Sequence, residues 1–73
     1  IRTVENVEIA AVLKQRGSVY KLSCRAKEYA DVRRICMTFG GGGHLRASGA
    51  TLDLPLDLAM EAVAKAIEEE LSR

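Results

Sequence analysis

Along the first part of the chain Val7, Ile9, Ala11 and Leu13 alternate with Glu8, Ala10, Val12 and Lys14. This is the period of a strand whose second face is also partly apolar, and it predicts a first strand over residues 7–14. Gln15-Arg16-Gly17-Ser18 makes a short polar turn, after which Tyr20, Leu22, Cys24 and Ala26 alternate with Lys21, Ser23, Arg25 and Lys27. The pair reads as a hairpin with Lys21, Ser23, Arg25 and Lys27 in one polar row. Asp31 is placed as an N-cap, followed by Val32, Ile35, Cys36 and Phe39 at i, i+3, i+4 and i+7. That spacing draws one apolar stripe on a short helix and sends Arg33 and Arg34 away from the core. Residues 50–54 alternate weakly as a third strand, which Pro55 ends. From Asp57 onward Met60, Val63, Ile67 and Leu71 recur at helical spacing, with Asp53 or Asp57 as the cap. The order β-β-α-β-α predicts an α+β domain: a small mixed sheet of at least three strands with the helices packed on one face.

At 73 residues the chain is one domain, near the lower limit for a core that folds unaided. No apolar run approaches the roughly 20 residues of a membrane span, and nothing resembles a signal peptide. Cys24 and Cys36 fall in a strand and a helix without CxxC or histidine spacing, so they read as small buried hydrophobes of a reduced, cytosolic protein. The net charge of +1 is unevenly spread: residues 14–46 carry eight Lys/Arg against Glu28 and Asp31, while the remainder is acidic. A basic segment around a glycine run suits an anionic ligand, although a mixed surface with lysines and arginines standing off strands gives the same count.

That run, Phe39-Gly40-Gly41-Gly42-Gly43-His44, is continued by Leu45-Arg46-Ala47-Ser48-Gly49-Ala50. Gly40 stands where a left-handed residue would stop the helix. Gly41, Gly42 and Gly43 have no such reason in the pattern and read as bare backbone for a ligand, with His44 closing the site. The run lacks the Lys-Ser/Thr pair of a P-loop and follows a helix where the dinucleotide fingerprint follows a strand. As the single histidine, His44 can contact a ligand, act as a general acid or base, or order a loop, but cannot make a metal site alone. Arg25 can give a bidentate phosphate contact if the loop reaches its face, and is otherwise one of several solvated basic residues. With Tyr20, Tyr29 and Phe39 the only aromatics, and Phe39 assigned to the core, base reading by stacking is not supported.

The glycine run with His44, then Ala47-Ser48-Gly49-Ala50, with Ser23-Cys24-Arg25 upstream and Asp31-Val32 opening the helix, resembles the DHH-associated domain. This is the small C-terminal domain of DHH-type phosphoesterases. The likeness is to the branch of oligoribonucleases and 3′-phosphoadenosine-5′-phosphate phosphatases and covers roughly residues 4–72. It implies substrate-binding roles for Arg25, Gly41, Gly42, Gly43 and His44, with short RNA or DNA oligonucleotides or nucleoside phosphates as ligands. It also implies a catalytic domain, absent from these residues, that holds two divalent metal ions, usually manganese. Ala26 stands where serine is frequent in the family, which removes one hydroxyl contact. Residues 1–73 are then expected to be a single excised domain without catalysis of its own.

Two other readings fit the same residues. One is an RNA-binding appendage like that of alanyl-tRNA synthetases, although there the glycine motif runs into Pro-Asp-Met-Ala-Gln. The other is a packing or dimerisation domain whose glycines allow close helix approach, with a second copy of the chain as partner.

Overall fold

The computed structural model describes residues 2–73. The elements are β1 (Arg2–Glu5), β2 (Ile9–Arg16), β3 (Val19–Ala26), α1 (Val32–Met37), β4 (Gly42–His44), β5 (Ala47–Leu52) and α2 (Leu56–Leu71). The strands form one sheet in the order β1-β2-β3-β5-β4, every neighbouring pair antiparallel. The α+β class is as expected. The sheet itself is antiparallel throughout, where a mixed one was expected, because the α1 crossover sets β4 running the same way as β3 but one place away, and β5 fills the place between them.

Alternation decides the two faces. Ile9, Ala11 and Leu13 on β2, Leu22 and Cys24 on β3 and Leu52 on β5 are buried. They share one core with Val32, Ile35 and Cys36 of α1 and Ala59, Val63, Ala66 and Ile67 of α2. Helix α1 packs beneath β3, β4 and β5, while α2 packs beneath β1 and β2. Both helices therefore cover one face and leave the other bare. In the core Cys24 and Cys36 are free thiols. The hydrogen bond that Cys24 shares with Cys36, together with burial, pushes the Cys24 thiol far up.

The first strand differs from its expectation. Residues 6–8 form a turn: Asn6 Oδ1 accepts from the amides of Glu8 and Ile9 at 2.8 Å, and the Asn6 amide donates to Ile9 O at 2.9 Å. Val7 is consequently 91% exposed, and the strand ahead of the turn, β1, pairs Val4 with Ala11. The Asp31 cap is formed, with Oδ1 accepting from the Arg34 amide at 3.1 Å. Arg34 is not simply solvated, since its Nε lies 3.3 Å from Glu70 Oε1 and ties α1 to α2. Helix α2 starts after Pro55 with no side-chain cap, so neither Asp53 nor Asp57 serves as one. Asp57 instead lies in the first turn, where its charge suits the helix dipole.

Candidate functional site

The uncovered face of the sheet is built by the same alternation that builds the core. On β3 it presents Lys21, Ser23 and Arg25, all exposed, between the buried Leu22 and Cys24. Register partners in an antiparallel sheet project to the same side. Arg25 pairs with Ala47 of β5, and Ala47 pairs with His44 of β4, so Arg25 and His44 occupy one row with only a methyl group between them. At about 4.8 Å per strand their Cα atoms are about 10 Å apart. The next row is Ser23, Gly49 and Gly42, which carries almost no side chain. Ser23, Arg25, Gly42, Gly43, Ala47, Ser48 and Gly49 surround a hollow of about 340 Å³, within the range of small-ligand sites.

The four glycines have different causes. Gly40 has φ +78° and closes α1 in a Schellman arrangement: its amide donates to Met37 O at 3.0 Å, and the Gly41 amide donates to Cys36 O at 2.9 Å. A Cβ on Gly41 would lie 2.2 Å from Gly49 O, and one on Gly43, at φ +141°, 2.8 Å from Ser48 Cα. Packing at the sheet edge therefore demands both, contrary to the expectation that Gly41, Gly42 and Gly43 alike lack a structural reason. Only Gly42 has neither a positive φ nor a protein atom within 4 Å of its would-be Cβ, among the described residues. Nor do these glycines form a loop folded over the face, since residues 42–44 are a strand paired to β5. Strand amides lie in the plane of the sheet, so what β4 offers the face is bare Cα surface beside His44 rather than a cradle of N–H donors.

The turn that follows His44 is clamped to the segment that follows Arg25. Ala26 N donates to Arg46 O at 2.9 Å, Val32 N donates to Leu45 O at 2.9 Å, and Arg46 Nη1 donates to Ala30 O at 2.8 Å. Beneath this clamp sits Glu8, a carboxylate only 7% exposed. Its Oε2 accepts from the amides of Glu28, Tyr29 and Ala30 at 3.0, 2.8 and 2.8 Å. Burial opposes the charge on Glu8, but those amides and the Arg46 guanidinium outweigh it and hold the carboxyl below its ordinary pKa. Neither Glu8 nor Arg46 is singled out by spacing. Alternation assigns Glu8 to an outward face, and only the turn at residues 6–8 swings it inward. Ala26, on the same side of β3 as Cys24, packs against the core, so a serine there would not share the face of Arg25.

Among the described residues no three His, Cys, Asp or Glu side chains converge. The donor set around His44 does not fit a metal pair, because its neighbours in the row are a methyl group and a guanidinium. No helix of the described residues is long and apolar enough to cross a membrane.

A family model, the DHHA1 domain, matches residues 1–73. The chain belongs to the DHHA1 domain family. It is 42% identical over 74 residues to the bifunctional oligoribonuclease and PAP phosphatase NrnA of Thermus thermophilus, a match that takes in 100% of this chain and 23% of that protein. The crystal structure of an exopolyphosphatase-related protein from Bacteroides fragilis superposes with a TM-score of 0.81 at 28% identity, over 90% of this chain and 20% of that one. The chain thus spans about a quarter or less of the length of either relative, and the DHHA1 domain is the part they share with it.

Proposed function

We propose that this DHHA1 domain holds the phosphate of a short oligonucleotide or nucleoside phosphate on the open face of its sheet. Hydrolysis is then carried out by a DHH catalytic domain elsewhere in a longer protein. The observation that carries the reading is the single row Arg25, Ala47, His44, flanked by the bare row Ser23, Gly49, Gly42. A guanidinium gives two parallel N–H donors to a phosphate, and the imidazole of His44, at the β4 end of the same row, adds one more. The Ala47 methyl between them and the nearly bare row beside them admit a sugar-phosphate backbone to the sheet surface. The similarity to an oligoribonuclease and PAP phosphatase supports this class of ligand. Two divalent metal ions, manganese in the first instance, belong to the catalytic domain in this proposal, and no step of theirs runs through residues of this chain.

The test is titration of the 73-residue chain with adenosine monophosphate, followed at the backbone amides by NMR. Shifts are expected at Arg25, Gly42, Gly43 and His44. Arg25→Ala and His44→Ala should each weaken binding by about 1.5–3 kcal/mol, roughly ten- to 150-fold, the range for hydrogen bonds to charged groups. With manganese and a short RNA the isolated chain should show no turnover. Turnover, or unchanged affinity in both variants, refutes the assignment.

A further inference from the structure

The hollow beside Arg25 is not the only one on the open face. A second, of about 430 Å³, is lined by Lys21, Ser23, Phe39, Gly40, Gly41, Gly49 and Thr51 among others. The two hollows share Ser23 and Gly49, so they adjoin at the bare row and together line a trough on this face. Lys21 Nζ stands over the far end, 3.4 Å from Thr51 Oγ1, and Lys14 is its register partner on β2. Two ammonium groups therefore face the same side. The amides of Gly40 and Gly41 are already spent on Met37 O and Cys36 O, so positive charge at this end comes from the lysines and not from the glycine backbone. Phe39 is half-buried, packed on the core from below and open to the trough along its rim. None of the residues lining either hollow is a carboxylate.

From this we infer a second nucleotide subsite at Lys21, Phe39 and Thr51, which takes the residue of an oligonucleotide adjoining the one held at Arg25 and His44. The inference rests on the function proposed above and extends it. The chain of the ligand crosses the Ser23–Gly49 saddle, where there is no side chain larger than a serine to block it. Its next phosphate meets Lys21, with Lys14 behind, and its base or sugar lies against the exposed part of Phe39. Charge complementarity selects the occupant: a cationic trough with one arginine end and one lysine end, about 13 Å apart along β3 at 3.3 Å per residue, suits a ligand with more than one phosphate. A mononucleotide fills the Arg25 hollow alone.

Chain length is therefore the variable to test, using the 73-residue chain, adenosine monophosphate and the 5′-phosphorylated diadenylate pApA. The mononucleotide should shift Arg25, Gly42, Gly43 and His44. The dinucleotide should add shifts at Lys21, Phe39, Gly40 and Thr51 and bind about fivefold more tightly, the ceiling for one exposed ion pair. Lys21→Ala should remove that gain and lower the slope of log affinity against log salt by about 0.7. Lys21→Glu should reverse the gain. A dinucleotide that binds no better than the mononucleotide, or a gain that survives both substitutions, overturns the second subsite while leaving the first in place. Absence of any mononucleotide effect at Arg25 and His44 would instead refute the proposed function itself.

Discussion

Replacing Gly42 by alanine separates room left for a ligand from room required by the fold. Its would-be Cβ meets no protein atom within 4 Å and its φ is not in the left-handed region. The main effect on folding is then a less flexible unfolded chain, which stabilises by about 0.4–1 kcal/mol. For a domain of this size that raises Tm by roughly 2–8 °C. Gly41→Ala is the contrasting case. A Cβ 2.2 Å from Gly49 O and 2.6 Å from the Ala50 Cβ forces the β4 edge away from β5. Overpacking of that kind costs about 1–3 kcal/mol, and a small domain has only about 5 kcal/mol to lose. The methyl of Gly42→Ala would meanwhile stand in the bare row between Arg25 and His44 and the second hollow, and should weaken mononucleotide binding on the order of tenfold, 1.4 kcal/mol. Thermal unfolding by circular dichroism and titration with adenosine monophosphate read the two effects on the same samples. A Gly42→Ala chain that melts as early as Gly41→Ala, or that binds as well as the parent, refutes the assignment of Gly42 to ligand space.

Two further outcomes follow from the groups beneath the site. Because the Glu8 carboxyl is held below its ordinary value of 4.5, its contribution to stability is present above that pH and disappears as pH falls through the lower folded-state value. Thermal midpoints of the parent should therefore drop steeply below about pH 4.5, while Glu8→Gln, already less stable at neutral pH, should show a flatter profile in the same window; parallel profiles contradict the role given to Glu8. Cys24 and Cys36, both buried and with the Cys24 thiol held protonated, should be silent to a disulfide reagent in the native chain and titrate as two thiols in guanidinium. Rapid labelling under native conditions would contradict the packing of the core.

The local elements were legible because they follow short-range periodicities. The Tyr20–Lys27 alternation places Arg25, Ser23 and Lys21 on one face, the Asp31 cap opens α1, and Gly40 stops it at positive φ, each decided within a few residues. Strands β1 and β4 were not legible. β1 precedes the turn that Asn6 builds with its own side chain, and β4 is three residues, two of them glycine, with no alternation to detect. Its strand character comes wholly from pairing with β5.

The chemistry divides in the same way. The residue types of the site, one arginine, one histidine and side-chain-free backbone, are written in the chain, as is the resemblance to DHH-associated domains. Their union in a single row is not, because it depends on two registers, Arg25 with Ala47 between segments about twenty residues apart and Ala47 with His44 across the β4–β5 hairpin. Tertiary packing also sorted the glycines, assigning Gly41 and Gly43 to the sheet edge and leaving Gly42 as the open one. It turned Glu8 inward to hold the β3–α1 connection, with Arg46 clamping the β4–β5 turn to it. Periodicity reports which side of an element a residue takes, whereas close approach and register are properties of two segments at once and exist only after the chain has folded.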